Sequence, residues 1–407
     1  MDSHFIKILF IGLHYQKSEE EMLLKICKNG VSAAHFTFEE NVIDSIEKYA
    51  DVKVLVSLPV GSFPMMSNKL FFKSSYHHKY QKIGFVNFPL LKEVIRRNKT
   101  KKAISHWINS LPETSPKYIV IYDTYLPFIK ASLQIKRKHP ECKIICIVPD
   151  LPGKYSVEYN TYNFFVNKYL SIKANNFYKL TPKIDGFIVL TTYMIKILNA
   201  MDKPHMIMEC IVKSETNTEV SLISKVNKCT KIVMYAGELS CNVNLDVLME
   251  AFSMIASENI NLWICGTGTL ESYIINKSNI DKRIKFWGFI PKSNLQKIQD
   301  LVDIYINPRQ NRNEYTRYSF PSKNAESLKT GKPLIAYKLD GIPNDYDEFI
   351  FYPEDNSAQK LKEKIEEVCA LDQTRLEDIK KKQLFFMNTQ KSDIVQGKRI
   401  INFLMGL

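Results

Sequence analysis

Nothing in the 407 residues repeats internally, and no tract is of low complexity. The eight cysteines, Cys27, Cys142, Cys146, Cys210, Cys229, Cys241, Cys265 and Cys369, include no CxxC pair and have no nearby histidines to complete a zinc site. A reduced, cytoplasmic protein is the natural expectation, and a disulfide framework is excluded. No apolar run reaches the roughly 20 residues that a spanning helix needs, so an integral helical membrane protein is not expected. The run from Phe5 to Gly12 contains Lys7 and is soon followed by Glu19, Glu20 and Glu21. It reads as a first strand, not a signal peptide. There is no GxxxxGK[ST] loop, no helix-turn-helix signal, no RNA-binding aromatic signature and no zinc finger.

What is present is a large apolar fraction, 45%, with 24% charged residues, enough to bury the cores of two domains. The net charge of +13 is unevenly spread. Residues 1–200 hold 28 Lys and Arg against 16 Asp and Glu, whereas residues 201–407 hold 28 against 27. So basic a half could meet nucleic acid or an anionic membrane surface. Without any nucleic-acid motif, nucleic acid is not expected as a partner; a merely soluble lysine-rich surface stays open.

Short apolar runs alternate with helical patterns along the chain, which argues for an α/β protein with two parallel-sheet units. First-half strands are expected at Lys7 to Ile11, Val52 to Val56, Tyr118 to Ile121, Lys143 to Val148 and Gly186 to Leu190. The second half repeats the alternation through IVMYAG, a helix near Asp246 to Ala256, LWICG, IKFWG, a helix near Lys292 to Asp300, IYIN, a helix from about Ser322, and LIAY. A polar stretch separates the two. The expected domains are 1–212 and 231–390, joined by a linker at 213–230, with residues 391–407 forming a helix that crosses back onto the first domain.

Three second-half strand ends finish in glycine: Gly237, the pair Gly266 and Gly268, and Gly288. In parallel sheets ligands bind beyond the carboxyl ends of the strands, where glycine permits close approach to the backbone. Each alone would be an ordinary turn glycine; together they favour a nucleotide site. Further on, Pro321 sits where a helix would begin, Gly331 where it would end, and Pro333 prevents its continuation. Lys323 in the first turn adds a point charge for phosphate, and Glu326 falls on the same face about 4.5 Å further along the axis. A plain Lys323 to Glu326 helical ion pair, worth a few tenths of a kcal/mol, fits the spacing equally well.

The segment Tyr318-Ser319-Phe320-Pro321-Ser322-Lys323, with Glu326, Gly331-Lys332-Pro333 and Gly341-Ile342-Pro343, resembles the donor-site signature of retaining family 4 glycosyltransferases of the bacterial polysaccharide type. Phe286-Trp287-Gly288-Phe289, Asn307-Pro308-Arg309, Val148-Pro149-Asp150-Leu151-Pro152 and Asp185 to Thr191 resemble the same group. The resemblance implies the GT-B fold, two Rossmann-like domains facing a central cleft. It implies a transferase of hexosyl type that uses a nucleoside-diphosphate sugar without a cofactor. Glu326 then corresponds to the second glutamate of the Glu, seven residues, Glu pattern and binds ribose hydroxyls. Arg309 and Lys323 face the pyrophosphate as catalytic cations. Asp150 lies near the acceptor-side His-Asp position. Gly288 and Phe289 line the base pocket, and Gly237, Gly266 and Gly268, with Ser319, Phe320, Pro321 and Ser322, belong to the donor-binding edge.

Two departures stand out. Tyr318 occupies the position of the family's first glutamate, and the usual Arg and Lys after the first strand of the second domain are missing. Arg309, Arg312, Arg317 and Lys323 are close enough in sequence to replace the cations, and Glu314 to contact the sugar hydroxyls. No metal is expected, since no Asp-x-Asp is read as a site to hold one. The basic first domain suits a saccharide acceptor linked to polyprenyl diphosphate at the inner face of the cell membrane. Aromatic stretches at Phe71 to Tyr76 and Tyr159 to Phe165 are read either as inserting at that interface or as core helix faces. A non-catalytic GT-B partner protein and a GT-B sugar-nucleotide epimerase are the rival readings.

Overall fold

Lys117–Tyr122 and Lys143–Val148 are buried on both faces almost throughout, as strands in a parallel sheet covered by helices must be. The computed structural model describes residues 6–28, 33–154, 164–213, 230–290 and 298–407. The chain divides into one unit of Met1–Lys213 with Ser392–Leu407 and a second of Ser214–Lys391. Most of the expected linker, the helix expected near Lys292 and the aromatic stretch from Tyr159 lie largely outside the described residues.

The first unit contains β1 (Lys7–Gly12), β2 (Asp51–Val56), β3 (Phe71–Phe72), β4 (Ser75–His77), β5 (Tyr80–Lys82), β6 (Phe85–Val86), β7 (Lys117–Tyr122), β8 (Lys143–Val148), β9 (Gly186–Val189) and β10 (His205–Ile207). Its main sheet runs β10-β9-β8-β7-β1-β2-β5-β4, parallel except for the β4–β5 pair. The five expected strands form within a residue of their expected bounds. The short elements β3 to β6 were not expected, and Phe71 to Tyr76 is therefore two short strands joined by a brief loop, not a helix face. Helices Ala33–Glu47 and Asp393–Met405 pack together over this sheet, joining Ile43 and Ile46 to Ile400, Ile401 and Leu404 in one core. They cross closely at Gly397, where a Cβ would stand 2.2 Å from the Ser45 carbonyl oxygen.

In the second unit, β11 (Lys231–Ala236), β12 (Ile260–Cys265), β13 (Ile284–Phe286), β14 (Ile304–Asn307), β15 (Leu334–Ala336) and β16 (Ile350–Phe351) form an all-parallel sheet in the order β13-β12-β11-β14-β15-β16. Val233, Leu248, Phe252, Leu262, Ile264, Ile335, Leu361 and Ile365 fill one core beside it. Helix Leu245–Ser253 supplies that core from an amphipathic face, with Leu245, Leu248 and Phe252 completely buried at i, i+3 and i+7.

The strand orders place the functional edges. Each sheet winds outward in both directions from its first strand, so the order reverses between β1 and β7 in the first unit and between β11 and β14 in the second. Crossover helices leave a gap at such a point, and ligands bind outside the strand carboxyl ends there.

Candidate functional site

In the second unit, β11 and β14 deliver Gly237 and Arg309 to the switch point. Gly237 donates its N–H to the Cys265 carbonyl at 3.0 Å, and Leu239 donates to the Thr267 carbonyl at 2.9 Å, so the loops after β11 and β12 are laced together. A Cβ on Gly266 would stand 1.8 Å from the Gly237 carbonyl oxygen, and one on Gly268 would stand 2.3 Å from that of Leu239. The closest backbone approach at these two glycines is thus made by a neighbouring loop of the same chain. Gly288 differs: it has φ 64°, a Cβ there would meet nothing within 4 Å, and its carbonyl accepts the Gly266 N–H at 2.9 Å. Phe289 beside it is exposed.

Arg309 Nη2 donates to Ser319 Oγ at 2.9 Å, and the guanidinium lies 4.9 Å from the Tyr315 ring centroid. Its buried Nε–H has no acceptor, and no carboxylate pairs with it among the described residues. The other members of the cation group are more committed. Arg317 pairs with Asp340 at 2.7 Å, Lys323 with Glu326 at 3.1 Å, and Arg312 donates to Gln310 Oε1 at 3.0 Å.

Pro321 caps a helix of seven residues, Ser322–Leu328, and Gly331, at φ 72°, lies just beyond it. The helical ion pair expected as one alternative is therefore formed. Both its members are about half exposed, which leaves it worth a few tenths of a kcal/mol and easily exchanged for a ligand contact. Lys323, Glu326 and Ser327 line a recess of about 30 Å³ together with Tyr305, Ile306 and Asn307 of β14 and Met234, Tyr235 and Ala236 of β11. That volume holds one water, or one group of a larger ligand. Tyr305 was not singled out from the sequence. Its hydroxyl is buried with no hydrogen-bond partner among the described residues, and burial, reinforced by charges that include Glu326, raises its pKa. The only signal in the sequence was its place two residues before Asn307 in IYIN.

Tyr318 is buried, and its phenol donates to Glu314 Oε1 at 2.6 Å. Burial, then the hydrogen bond and charge of Glu314, push its pKa up to about 12. Phe320, also buried, packs on Tyr346 at 5.2 Å between ring centroids, so with Pro321 it shapes the edge from beneath, while Ser322 is exposed. Glu238 follows Gly237 where a cation was sought and accepts a hydrogen bond from Ser240 at 2.5 Å.

Asp150 belongs to the first unit. It is exposed just beyond β8, and burial followed by the charges of Glu39, Asp123 and Asp150 raises the pKa of Tyr122 in β7. The switch point there also carries His14 after β1, buried with its Nδ1 3.5 Å from Glu39 Oε2. Neither residue was singled out from the sequence. Only Gly12 hinted at them, since a Cβ there would meet Glu39 Oε1 at 1.7 Å.

The sequence does contain an Asp-x-Asp, Asp345-Tyr346-Asp347, which was not read as a metal site. Its carboxylates are used locally, Asp345 by Lys391 at 2.9 Å and Asp347 by Lys338 and by the Tyr352 hydroxyl. Among the described residues no group of three or more His, Cys, Asp or Glu side chains could hold a metal ion.

Residues 230–370 match the family model described as Glycosyl transferases group 1. No curated protein sequence matches the chain. Among solved structures, the fold is similar to HepE of Anabaena in complex with UDP, with a TM-score of 0.63 and 13% identity over 99% of this chain and 100% of that one. It is similar to sucrose-phosphate synthase of Thermosynechococcus elongatus, with a TM-score of 0.63 and 12% identity over 98% and 99%. It is also similar to the lipopolysaccharide outer core galactosyltransferase WaaB, with a TM-score of 0.60 and 15% identity over 98% and 99%. Residues 230–370 thus match a group 1 glycosyltransferase domain, in a chain that follows the GT-B fold along almost its whole length.

Proposed function

We propose that this protein transfers a hexosyl group from a nucleoside-diphosphate sugar to a saccharide acceptor carried on polyprenyl diphosphate, with retention and without a metal. The products would be surface polysaccharides of the capsule, O-antigen or exopolysaccharide kind, made at the inner face of the cell membrane. The observation that carries the reading is Arg309, a cation at the β11/β14 switch point with no carboxylate partner among the described residues and a buried Nε–H without an acceptor.

The chemistry follows from the leaving group. A sugar leaves a nucleoside diphosphate when the charge developing on the diphosphate is stabilised, and fixed cations and N–H groups are the protein's means of doing so. Arg309 supplies this directly. Lys323 supplies it once its weak pairing with Glu326 opens, and the Glu326 carboxylate then accepts hydrogen bonds from the ribose diol. The helix Ser322–Leu328 has two turns, so its dipole adds less than the two side chains. Glu314, fixed by Tyr318, offers a carboxylate to the sugar hydroxyls, and Gly288 and Phe289 flank the base. Asp150 serves the acceptor. HepE, a structural relative, has been solved with UDP and with UDP-glucose, which supports the choice of donor class.

A second reading has one observation in its favour. Glu238 stands where the family's cation would be, so a non-catalytic GT-B partner that binds donor without turning it over fits the same fold. Thermal stabilisation across UDP, GDP, CMP and their sugar conjugates, repeated on Arg309→Ala, tests both. One nucleoside diphosphate should raise the Tm, and the variant should lose most of the shift. Donor binding without sugar release to any acceptor would favour the partner protein. No shift with any nucleotide would overturn the transferase reading.

A further inference from the structure

Of the 21 large apolar side chains exposed among the described residues, eight fall between Met65 and Val94: Met65, Met66, Phe71, Tyr76, Phe88, Leu90, Leu91 and Val94. The same part of the sequence is the most basic. From Pro64 to Lys102 there are ten Lys and Arg against one acid, Glu93. That acid is engaged by Lys173 and by the Tyr169 hydroxyl. This one stretch carries +9 of the net +13.

Much of this stretch is tied together around β3 and β6, while Tyr76 lies on β4 at the edge of the main sheet. β3 pairs with β6, Asn87 Nδ2 donates to the carbonyls of Gly61 and Lys69, and Lys99 Nζ donates to the Gly84 carbonyl at 2.8 Å. Beneath it the buried Arg96 donates to the Leu58 carbonyl at 2.5 Å and to the Tyr125 hydroxyl at 3.0 Å, with the Phe85 ring 3.9 Å away. The scaffold is built, while its apolar tips are left uncovered. Phe72 is buried against Phe85, yet its neighbour Phe71 is 65% exposed.

Leu90 is the sharpest case. It precedes helix Leu91–Asn109 at φ 61° and ψ −46°, a conformation that is a genuine outlier for a bulky residue, and its side chain is 64% exposed. Strain of this kind persists where the surrounding structure enforces it, commonly at a functional surface. Along the helix, the exposed stripe passes from Leu91 and Val94 to Asn98, Lys101 and Lys102, an apolar tip followed by cations. Such a gradient suits a bilayer interface, where apolar groups enter the acyl boundary and ammonium groups remain among the headgroups.

We propose that residues 63–102 are the docking face of this protein for an anionic lipid bilayer. The surface needs both kinds of contact. A soluble polyanion would use the cations and leave Phe88, Leu90 and Leu91 in water, whereas an anionic membrane uses both. The inference rests on the proposed transfer to a lipid-linked acceptor for its role in the reaction, and localises that role on one surface.

Vesicle co-sedimentation of the full chain tests it, with phosphatidylcholine vesicles carrying or lacking phosphatidylglycerol. Binding is expected to the anionic vesicles only and to weaken in high salt. Lys101→Ala with Lys102→Ala should lower partitioning roughly 30-fold, at about fivefold for each cation lost near the surface. Leu90→Ser with Leu91→Ser should lower vesicle binding about tenfold or more while leaving retention on a heparin column unchanged. Unaltered vesicle binding by the leucine variant would overturn the proposal. So would heparin retention without vesicle binding, which would assign the surface to a soluble polyanion. Melting temperature and the nucleotide-induced shift are read on the same variants. If vesicles bind but no nucleotide does, the docking face stands and the transferase reading fails; the converse result separates them the other way.

Discussion

The phenol of Tyr318 donates a 2.6 Å hydrogen bond to Oε1 of Glu314, at the other end of the same short 3-10 helix. By the resemblance Tyr318 takes the place of the family's first glutamate, and here a carboxylate is brought to it from four residues away. If that pair reads the sugar, Glu314→Ala and Tyr318→Phe should each weaken a nucleotide sugar more than the corresponding nucleoside diphosphate. Calorimetry on the singles and the double should give a coupling of about 0.5–3 kcal/mol. Equal losses for both ligands would show that the pair only supports the loop.

Arg309→Ala should weaken the nucleoside diphosphate by about 1.5–3 kcal/mol, roughly tenfold to a hundredfold, as expected for a charge-assisted hydrogen bond. Lys323→Ala should cost less, because the free protein already spends that ammonium on Glu326. Lys323→Ala binding more weakly than Arg309→Ala in the same titration would reverse the ranking of the two cations.

Gly266→Ala should destabilise the second unit by roughly 2 kcal/mol or more, because the new methyl would collide with the Gly237 carbonyl oxygen at a φ of 141°. Denaturant unfolding measures this directly. An unchanged midpoint would mean that the two loops separate easily in solution.

Burial, with repulsion from Arg96, lowers the Lys92 amine to about 8. Between that value and an unfolded value of about 10.4, the unfolded chain holds a proton that the folded one has released. Stability of the first unit should therefore rise with pH through that window and be flat in this contribution below it. Lys92→Met should remove the rise. Fluorescence of Trp107, in a background with Trp263→Phe and Trp287→Phe, follows the unit concerned; parallel pH profiles for the two proteins would refute the assignment.

The long strands were legible because burial on both faces makes them continuous apolar runs, as in KIICIV and KYIVIY. The helix at Ser322 was legible from Pro321 and Gly331, which act through local backbone geometry. The edge elements β3 to β6 were not, since two- and three-residue strands carry no periodicity and are fixed by partners such as Asn87 and Lys99. In the site, charge and motif pointed to Arg309 and Glu326. They could not reveal that Arg317 is spent on Asp340, or that the Tyr305 hydroxyl is buried without a partner among the described residues, because both depend on which strands become neighbours.

Helix Asp393–Met405 is synthesised after every residue of the second unit, yet Ile400, Ile401 and Leu404 complete the core that β1 began. On the ribosome the first unit therefore lacks one wall of its core until the second unit has been made. The second unit can close while the first still lacks a wall, and the half-finished face over Ile43 and Ile46 waits through the making of some 180 intervening residues. A nascent chain of this design needs that face shielded until the helix arrives, and a stop codon anywhere in the second unit would damage the first as well.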